Sequence, residues 1–177
     1  MDNLSELQNI HEHLNLWLIF SLLGFLVGIC FVIYGMKKKK TTPKLIGIAL
    51  FWNMIFSIFM ISFSDNYFQI KAKKALLSLL SEPHVSVKIC NSPIDIKLQN
   101  IIISEVKLLK NIDRHHSYPN DTIPIKIVSK NGDIQVRIAR DSNVENEYWI
   151  FWDKYENTKN NAIGYLRTNK FDNIGCK

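Results

Sequence analysis

Two long runs without a charged residue occupy most of the first third of the chain. The first is residues 16–36 and the second is residues 45–63. At about 1.5 Å of rise per residue, each run is long enough to cross a hydrocarbon core about 30 Å thick. A helix in a soluble core carries a polar stripe with a period of 3.6 residues, and neither run does. The pattern predicts a transmembrane hairpin.

Shorter and mixed patterns, typical of a globular domain, follow the second run. Residues 65–82 carry apolar side chains on one stripe and predict a helix. Residues 84–90 alternate apolar and polar positions and predict a strand. Ser92 and Pro93 then predict a helix start, with the serine as cap and the proline in the first turn, and this helix runs to about residue 110.

A hairpin signal follows the second predicted helix. Apolar residues alternate over residues 123–127 and again over residues 134–138, with Asn131-Gly132 between them. Asn-Gly favours a two-residue type I′ turn, because both residues tolerate positive φ. Residues 148–152 and 163–168 predict two further strands.

These patterns together predict a fold class and a domain organisation. The class is an α-helical transmembrane hairpin plus a small α+β domain, in which one helix packs on an antiparallel meander of four to five strands. The predicted parts are a polar N-terminal tail (1–15), the two spans with their loop (16–63), a connecting helix (65–82) and an extracytoplasmic domain (83–177).

The distribution of charge predicts the orientation of the hairpin. The chain has 22 lysines and arginines against 16 acidic residues, and Lys37–Lys40 and Lys44 lie between the spans. The tail before the first span is acidic and has no lysine or arginine. Because short basic loops stay in the cytoplasm, we predict that loop 37–44 is cytoplasmic and that both termini are outside. Lys71, Lys73 and Lys74 after the second span argue for the opposite orientation.

A cleaved signal peptide and a nucleic-acid patch are the alternatives for this region. A signal peptide needs basic residues before a shorter apolar core, whereas here the lysines follow the run. A short loop held at both ends by a bilayer has little reach toward a nucleic acid, so we expect no nucleic-acid partner. Retained spans with richness in Lys, Asn and Ile fit a bacterial inner membrane protein.

Three residues within the spans are candidates for helix packing. Gly24 and Gly28 form a G-x-x-x-G spacing, which permits close approach of two helices. Asn53 is the strongly polar side chain deep in a run, and we expect it to bond the neighbouring helix. Neither run contains an acidic or basic side chain, so the sequence gives no support for an ion or proton pathway through the membrane.

The polar loop after the second predicted helix carries the most chemical-looking cluster. His115 and His116 lie near Asp113 and Asp121, and these side-chain types ligate zinc or copper. Adjacent histidines usually point in different directions, so a solvated loop is the favoured interpretation. We therefore predict no metal, no cofactor and no catalytic residue, and Ser142 lacks the context of a nucleophile.

Two cysteines lie outside the spans. Cys90 and Cys176 form an even pair, which closes a disulfide in an oxidising compartment. The bond would join the C-terminal tail to the first strand of the domain. The alternative is two free thiols.

The densest aromatic stretch of the domain is the strand at residues 148–152. One face of a strand is core, so the other face would present either Trp149 and Phe151 or Tyr148 and Trp152 outward. An exposed aromatic pair marks a protein contact or a membrane interface. The alternative is that another segment covers the second face.

These observations favour a non-catalytic interaction protein. The expected function is a two-span membrane protein that presents its domain to another envelope protein, with the lipid bilayer as its second partner. One alternative is an accessory or structural subunit that acts through its transmembrane helices. The other is a metal-dependent envelope enzyme that uses His115 and His116.

Overall fold

The structure is a computed structural model that describes residues 2–111, 117–130, 132–171 and 174. It divides into a helical hairpin, residues 2–67, and a domain that begins at Phe68. The hairpin is formed by α1 (Asp2–Lys37) and the first part of α2 (Thr41–Leu79). Each helix has a window long and apolar enough to cross a membrane, with 11% of that window buried. A core helix of a soluble protein would be mostly buried, so the hairpin indicates a membrane protein.

The turn between the helices is shorter than the predicted loop 37–44. Lys37 still belongs to α1 and Lys44 already belongs to α2. The Lys39 N–H bonds the Met36 carbonyl at 3.4 Å, and the Lys40 N–H bonds the Gly35 carbonyl at 3.0 Å. These two bonds, with Lys39 at φ 53°, form a Schellman motif that closes the C-terminus of α1.

The domain is a six-stranded antiparallel sheet with helical segments packed around it. The strand order is β2-β1-β3-β4-β5-β6. The elements are β1 (Ser86–Ile89), β2 (Ser92–Pro93), α3 (Ile96–Lys107), β3 (Pro119–Ser129), β4 (Gly132–Asp141), β5 (Glu147–Trp152), α4 (Glu156–Asn160) and β6 (Gly164–Arg167). The α+β layout and the meander of β3 to β6 are confirmed.

The prediction of four to five strands is wrong, because the short strand β2 brings the sheet to six strands. Ser92 and Pro93 pair with Ile89 and Lys88 and so belong to the sheet, not to a helix start. The two-residue turn before β2 has φ values of 50° at Cys90 and 65° at Asn91, as a type I′ turn requires. Asp95 caps α3 instead of Ser92, and its side chain accepts the Leu98 N–H at 2.7 Å.

The predicted connecting helix forms the last part of α2 and is continuous with the second span. The turn between β3 and β4, in contrast, differs from the sequence prediction. The β3–β4 register pairs Ser129 with Gly132, so the connection covers positions 130 and 131 instead of Asn131-Gly132. Asn131 lies outside the described residues. The short helix α4 had no counterpart in the prediction.

The core lies on the inner face of the sheet, between the strands and the helices. Inner-face residues of β1, β3, β4 and β5 alternate with outer-face residues and are almost fully buried: Val87, Ile89, Ile125, Ile127, Ile134, Val136, Ile138, Tyr148, Ile150 and Trp152. The end of α2 contributes Phe68, Ala72 and Leu76, each at 0% exposure. The Phe68 ring meets Tyr155 edge to face at 5.5 Å.

Helix α3 crosses the inner face from one sheet edge to the other. Near its start, Gln99 bonds β1 through two side-chain hydrogen bonds. Just after its end, Lys110 exchanges two backbone hydrogen bonds with Tyr165 of β6. The eleven steps along the chain from Gln99 to Lys110 rise about 16 Å at the helical rise, which is close to the roughly 19 Å across five strands. Both long edges of the sheet are therefore in contact with the α3 segment.

The Gln99 amide completes the edge of β1 where β2 is too short to pair with it. Its Nε2 donates to the Val85 carbonyl at 2.9 Å, and its Oε1 accepts the Val87 N–H at 3.1 Å. One side chain thus satisfies the two groups that a neighbouring strand would pair with. Pro93 in β2 has no N–H to offer, which also limits pairing at this edge.

Replacing Gln99 with glutamate should destabilise the domain and promote self-association. A carboxylate oxygen would face the Val85 carbonyl in place of a donor, at a cost of about 1–3 kcal/mol. The melting temperature and light scattering of the full chain in neutral detergent measure both effects. Asn100→Asp is the control, because Asn100 is exposed at the next position of α3. Equal changes in both variants would contradict the role given to Gln99.

Candidate functional site: the outer face of the sheet

The outer face of the sheet comprises the side chains of β4, β5 and β6 that point away from α2 and α3. Its centre is Trp149 of β5. On one side Trp149 lies opposite Ala139 of β4, and on the other side it lies opposite Tyr165 of β6. Phe151 lies opposite Arg137, and Glu147 lies opposite Arg167.

The strand register divides the four predicted contact aromatics between the two faces. Tyr148 and Trp152 lie on the inner face at 1% and 0% exposure. The Tyr148 ring meets Phe171 at 5.3 Å, and the Trp152 ring meets Tyr155 at 5.3 Å, both edge to face. These two residues are part of the core.

The outer-face aromatics are largely covered. Phe151 is 5% exposed and packs with Ala139 and Ala162, and Trp149 packs against this cluster. Ala162 belongs to the segment between α4 and β6. Trp149 remains partly exposed, so of the four aromatics it is the one whose ring is available at the surface.

Two arginines lie beside the outer-face aromatics in fixed positions. The Arg137 guanidinium is 5.3 Å from the Phe151 ring centroid, and its Nε donates to Asp153 at 2.5 Å. The Arg167 guanidinium is 5.8 Å from the Tyr165 ring centroid, and its Nε donates to fully buried Glu147 at 2.8 Å. Cation–π contacts and charge-assisted hydrogen bonds restrict both side chains. The arginines and Trp149 therefore form a pre-ordered surface.

Asp141 fixes the position of the Trp149 ring. Its Oδ2 accepts the Trp149 Nε1–H at 2.8 Å and the Ser117 hydroxyl at 2.5 Å. Its Oδ1 accepts the N–H groups of Asn143 and Val144, each at 2.8 Å. The carboxylate is 5% exposed and joins the start of β3, the loop after β4 and the outer face. An aspartate that ends a strand is typical of such a turn, but its bond to Trp149 depends on the fold.

A polar cleft of about 510 Å³ lies in the loop between β4 and β5 and is lined by residues 140–146. Arg140, at the edge of this cleft, donates to the Tyr148 hydroxyl at 3.1 Å. The same guanidinium is 5.7 Å from the Tyr148 ring centroid. Arg140 therefore packs on the strand end beside this cleft.

Glu105 is a buried carboxylate on α3, away from the outer face, and it links this helix to the segment after β6 through Lys170. Its Oε1 accepts the Lys170 ammonium at 2.6 Å, and the residue is 6% exposed. Burial raises the pKa of the carboxyl, but hydrogen bonds from Lys170 and Thr168 and the charge of Lys170 outweigh it, so the pKa lies below its ordinary value of 4.5. The charged form is therefore favoured by folding.

This lowered pKa predicts the direction of a pH effect. The stability that Glu105 contributes is present above its unfolded pKa and is lost as the pH falls through the lower folded pKa. Glu105→Gln should lower the melting temperature at pH 7 and reduce the further loss on acidification below about pH 4.5. Thermal unfolding of the full chain in neutral detergent between pH 7 and pH 3 measures both. Glu156→Gln, at a 67% exposed side chain, should leave the pH profile unchanged.

The predicted metal-type cluster and disulfide fall mostly outside the described residues. Asp113, His115 and His116 are outside them, and so is Cys176, so the Cys90–Cys176 bond stays a prediction. Within the described ranges, no group of three or more histidine, cysteine or acidic side chains is arranged to hold a metal ion. Cys30 in the first span is an exposed free thiol.

The predicted packing glycines lie along the contact between α1 and α2. A Cβ on Gly28 would be 3.0 Å from the Gly47 carbonyl, and a Cβ on Gly47 would overlap the Gly28 carbonyl. A Cβ on Gly24 would meet Leu50 at an ordinary 3.5 Å. Gly28 and Gly47 therefore lie in direct backbone contact across the two helices, and the G-x-x-x-G spacing gave no indication of Gly47.

Asn53 belongs to a polar cluster between the two helices. Its Nδ2 donates to the Ser21 hydroxyl of α1 at 3.0 Å, and the Ser21 and Ser57 hydroxyls are 2.8 Å apart. Ser21 and Ser57 are each 2% exposed. The polar groups are thus directed at the partner helix within the hairpin.

Comparison with protein-family models, with curated proteins and with solved structures finds no match to this chain. The functional argument therefore depends on the hairpin, on the outer face and on the charge distribution.

Proposed function

We propose that this chain is a two-span protein of a bacterial inner membrane that presents its α+β domain on the extracytoplasmic side to bind another envelope protein. The proposed role is recognition without catalysis. The observation that carries the proposal is a membrane hairpin joined to a domain with a pre-ordered surface of Trp149, Arg137 and Arg167. Tryptophan and arginine are the side chains most enriched at the energetic centres of protein interfaces.

The short connection between the span and the domain supports a partner at the membrane surface. The apolar run ends at Phe63, and Phe68 is already a fully buried core residue. Five residues cover at most about 18 Å even when fully extended. A connection this short favours a partner that is itself a membrane protein or a membrane-bound envelope protein.

The orientation in this proposal follows from the lysines at the tip of the hairpin. Lys38, Lys39 and Lys40 form the turn, and Lys37 and Lys44 lie in the flanking helical turns. Such a basic tip favours the cytoplasmic side. Alkaline phosphatase fused after Lys177 should be active in bacterial cells, and green fluorescent protein at the same position should be dark. The reverse pattern would refute the extracytoplasmic placement.

Site-specific photo-crosslinking tests the proposed contact surface. A photoreactive phenylalanine analogue at Gln135, which is exposed on the outer face, should give a discrete adduct in intact cells. The same analogue at Ser104, which is exposed on α3, is the matched control. The adduct at position 135 should weaken when Trp149 is replaced with alanine. An adduct from position 104 alone would move the contact to the helical side and refute the role of the outer face.

The small and polar residues between α1 and α2 argue against the alternative of a subunit that acts through its spans, because they already contact each other. Gly28, Gly47, Ser21, Asn53 and Ser57 are engaged within the hairpin. Deleting residues 83–177 distinguishes the two proposals, because it removes a partner that binds the domain and leaves one that binds the spans. Affinity purification from cross-linked membranes gives the readout.

A further inference from the structure

An open groove of about 220 Å³ runs along the helical hairpin where α1 and α2 are in contact. Gly28 and Gly47 have no side chains, so their contact leaves this space between the larger residues on either side. Its walls are apolar side chains from both helices, among them Ile29, Ile33, Ile48 and Phe51. Inside a bilayer, an apolar space of this kind takes hydrocarbon and not water.

Two lysines meet at the closed end of the hairpin, beyond this groove. A Cβ on Gly35 of α1 would lie 2.7 Å from the Lys44 side chain and 3.0 Å from the Lys40 carbonyl oxygen. Lys44 therefore contacts this point of α1 through its side chain, and Lys40 contacts it through its backbone. Gly35 follows Val32 of the groove by about one helical turn. Lys44 likewise precedes Ile48 of the groove by about one turn, so the basic end adjoins the groove.

The positive charge at this end is not neutralised within the hairpin. Lys37–Lys40 and Lys44 lie between positions 13 and 64, and this range contains no acidic residue. Glu12 and Asp65 flank the range, and each is about 30 Å or more from the lysines along its own helix. Lys37–Lys40 are exposed, and Lys44 is half-buried. The hairpin thus has one end whose charge is available to an anionic ligand.

The spacing between the groove and the lysines fits a phospholipid. One helical turn advances about 5 Å along the axis. The headgroup layer of a bilayer is about 5–8 Å thick on each side. A phosphate at the lysines would therefore place the attached acyl chain at the level of the groove. A free phosphate does not need the apolar groove, and an uncharged hydrocarbon does not need the lysines.

We propose that the hairpin binds one anionic phospholipid, with its phosphate at Lys40 and Lys44 and one acyl chain in the groove. The lysine ammonium groups donate hydrogen bonds to the phosphate oxygens, and the chain packs against Ile33 and Ile48. The site needs a bilayer around the hairpin, but it does not depend on the orientation of the hairpin or on the partner of the domain. The bound lipid would cover the glycine contact and hold the basic turn at the membrane surface.

Native mass spectrometry of the full, delipidated chain in neutral detergent tests this site. Phosphatidylglycerol should bind as one molecule per chain, and more tightly than phosphatidylcholine with the same acyl chains. Lys40→Gln/Lys44→Gln should weaken the binding of phosphatidylglycerol about 25-fold, because each lysine near an anionic surface contributes about fivefold. Lys97→Gln/Lys107→Gln, at exposed lysines of α3, is the charge-matched control and should retain the binding.

A substitution that fills the groove tests the role of the acyl chain. Ile48→Trp adds bulk inside the groove and should weaken the binding of phosphatidylglycerol. Ile46→Trp is the matched control, because Ile46 lies outside the groove on the same helix and is similarly exposed, at 44% against 47% for Ile48. Glycerol phosphate carries the headgroup charge without acyl chains, so it should not displace the lipid at equal concentration.

Four results would each overturn the proposal. Equal binding of the two lipids, or equal weakening in both lysine double variants, would show that Lys40 and Lys44 do not select the anion. Displacement by glycerol phosphate would indicate an anion site that does not use the groove. A dimer that is lost in Ile48→Trp would assign the groove to a second copy of the chain. Circular dichroism of each variant controls for loss of helix, and the comparison of the two lipids on the unaltered chain needs no variant.

Discussion

Replacing Gly47 with alanine is expected to disrupt the helical hairpin, although alanine is normally the better helix former. The added methyl group would overlap the Gly28 carbonyl and lie 2.5 Å from the Val32 side chain. Neither the backbone of α1 nor the branched side chain can move away without separating the helices. We expect a cost of about 1–3 kcal/mol, as for other overpacked interiors.

Disulfide trapping in native membranes measures the separation of the helices. Cysteines at positions 21 and 57, where the two serine hydroxyls are 2.8 Å apart, should oxidise readily in a Cys30→Ser background. Adding Gly47→Ala should lower the yield. Gly24→Ala is the matched control, because its methyl group meets only an ordinary contact with Leu50 at 3.5 Å. Equal yields with Gly47→Ala and Gly24→Ala would show that Gly47 does not set the helix contact.

Replacing Asp141 with alanine should have the largest effect of any polar substitution on the outer side of the domain. Four donors lose their acceptor together: the Ser117 hydroxyl, the Trp149 indole and the N–H groups of Asn143 and Val144. Each buried donor left unsatisfied costs about 1–3 kcal/mol, and some regain water. We expect a total loss of at least about 3 kcal/mol, or a fall in melting temperature of roughly 12–24 °C for a domain of this size.

Thermal unfolding of the full chain in neutral detergent, followed by circular dichroism, measures this loss. Asp133→Ala is the control, because Asp133 lies near the other end of β4, in a surface pair with Lys126, and its side chain is 44% exposed. That pair should contribute less than about 1 kcal/mol. Similar melting temperatures for the two variants would contradict the anchoring role of Asp141, and so would unchanged exposure of Trp149 to a fluorescence quencher.

The parts of the fold that were predictable depend on long or strictly alternating patterns. The spans are uninterrupted apolar runs, and β3 and β4 alternate over several residues on each side of their turn. Such patterns repeat one physical preference many times, so they outweigh local exceptions. The element β2 is different, because Ser-Pro suits a helix start as well as an edge strand. The pairing of Ser92 with Ile89 decides between them, and that contact is tertiary.

The candidate site was less predictable, because which aromatic side chains stay exposed depends on the other segments that pack over the sheet. The pattern of β5 predicted an outward aromatic pair, but Ala162 after the short helix α4 packs on Phe151 and leaves Trp149 partly exposed. Five residues of α4 are too few to show a helical period. Gly47 was missed for a related reason: spacing within one helix gives no information on the residue opposite in another.

The closed edges of the sheet have a consequence for the behaviour of many copies in one membrane. Proteins anchored in a bilayer move in two dimensions and in similar orientations, so unpaired strands on neighbouring molecules would meet often. Here the Gln99 amide occupies the β1 edge, and Lys110 occupies part of the β6 edge. Strand-to-strand polymerisation therefore has little template, namely the two-residue strand β2 on one side and the part of β6 beyond Tyr165 on the other. Crowding of many copies in one membrane thus need not lead to pairing of their sheets.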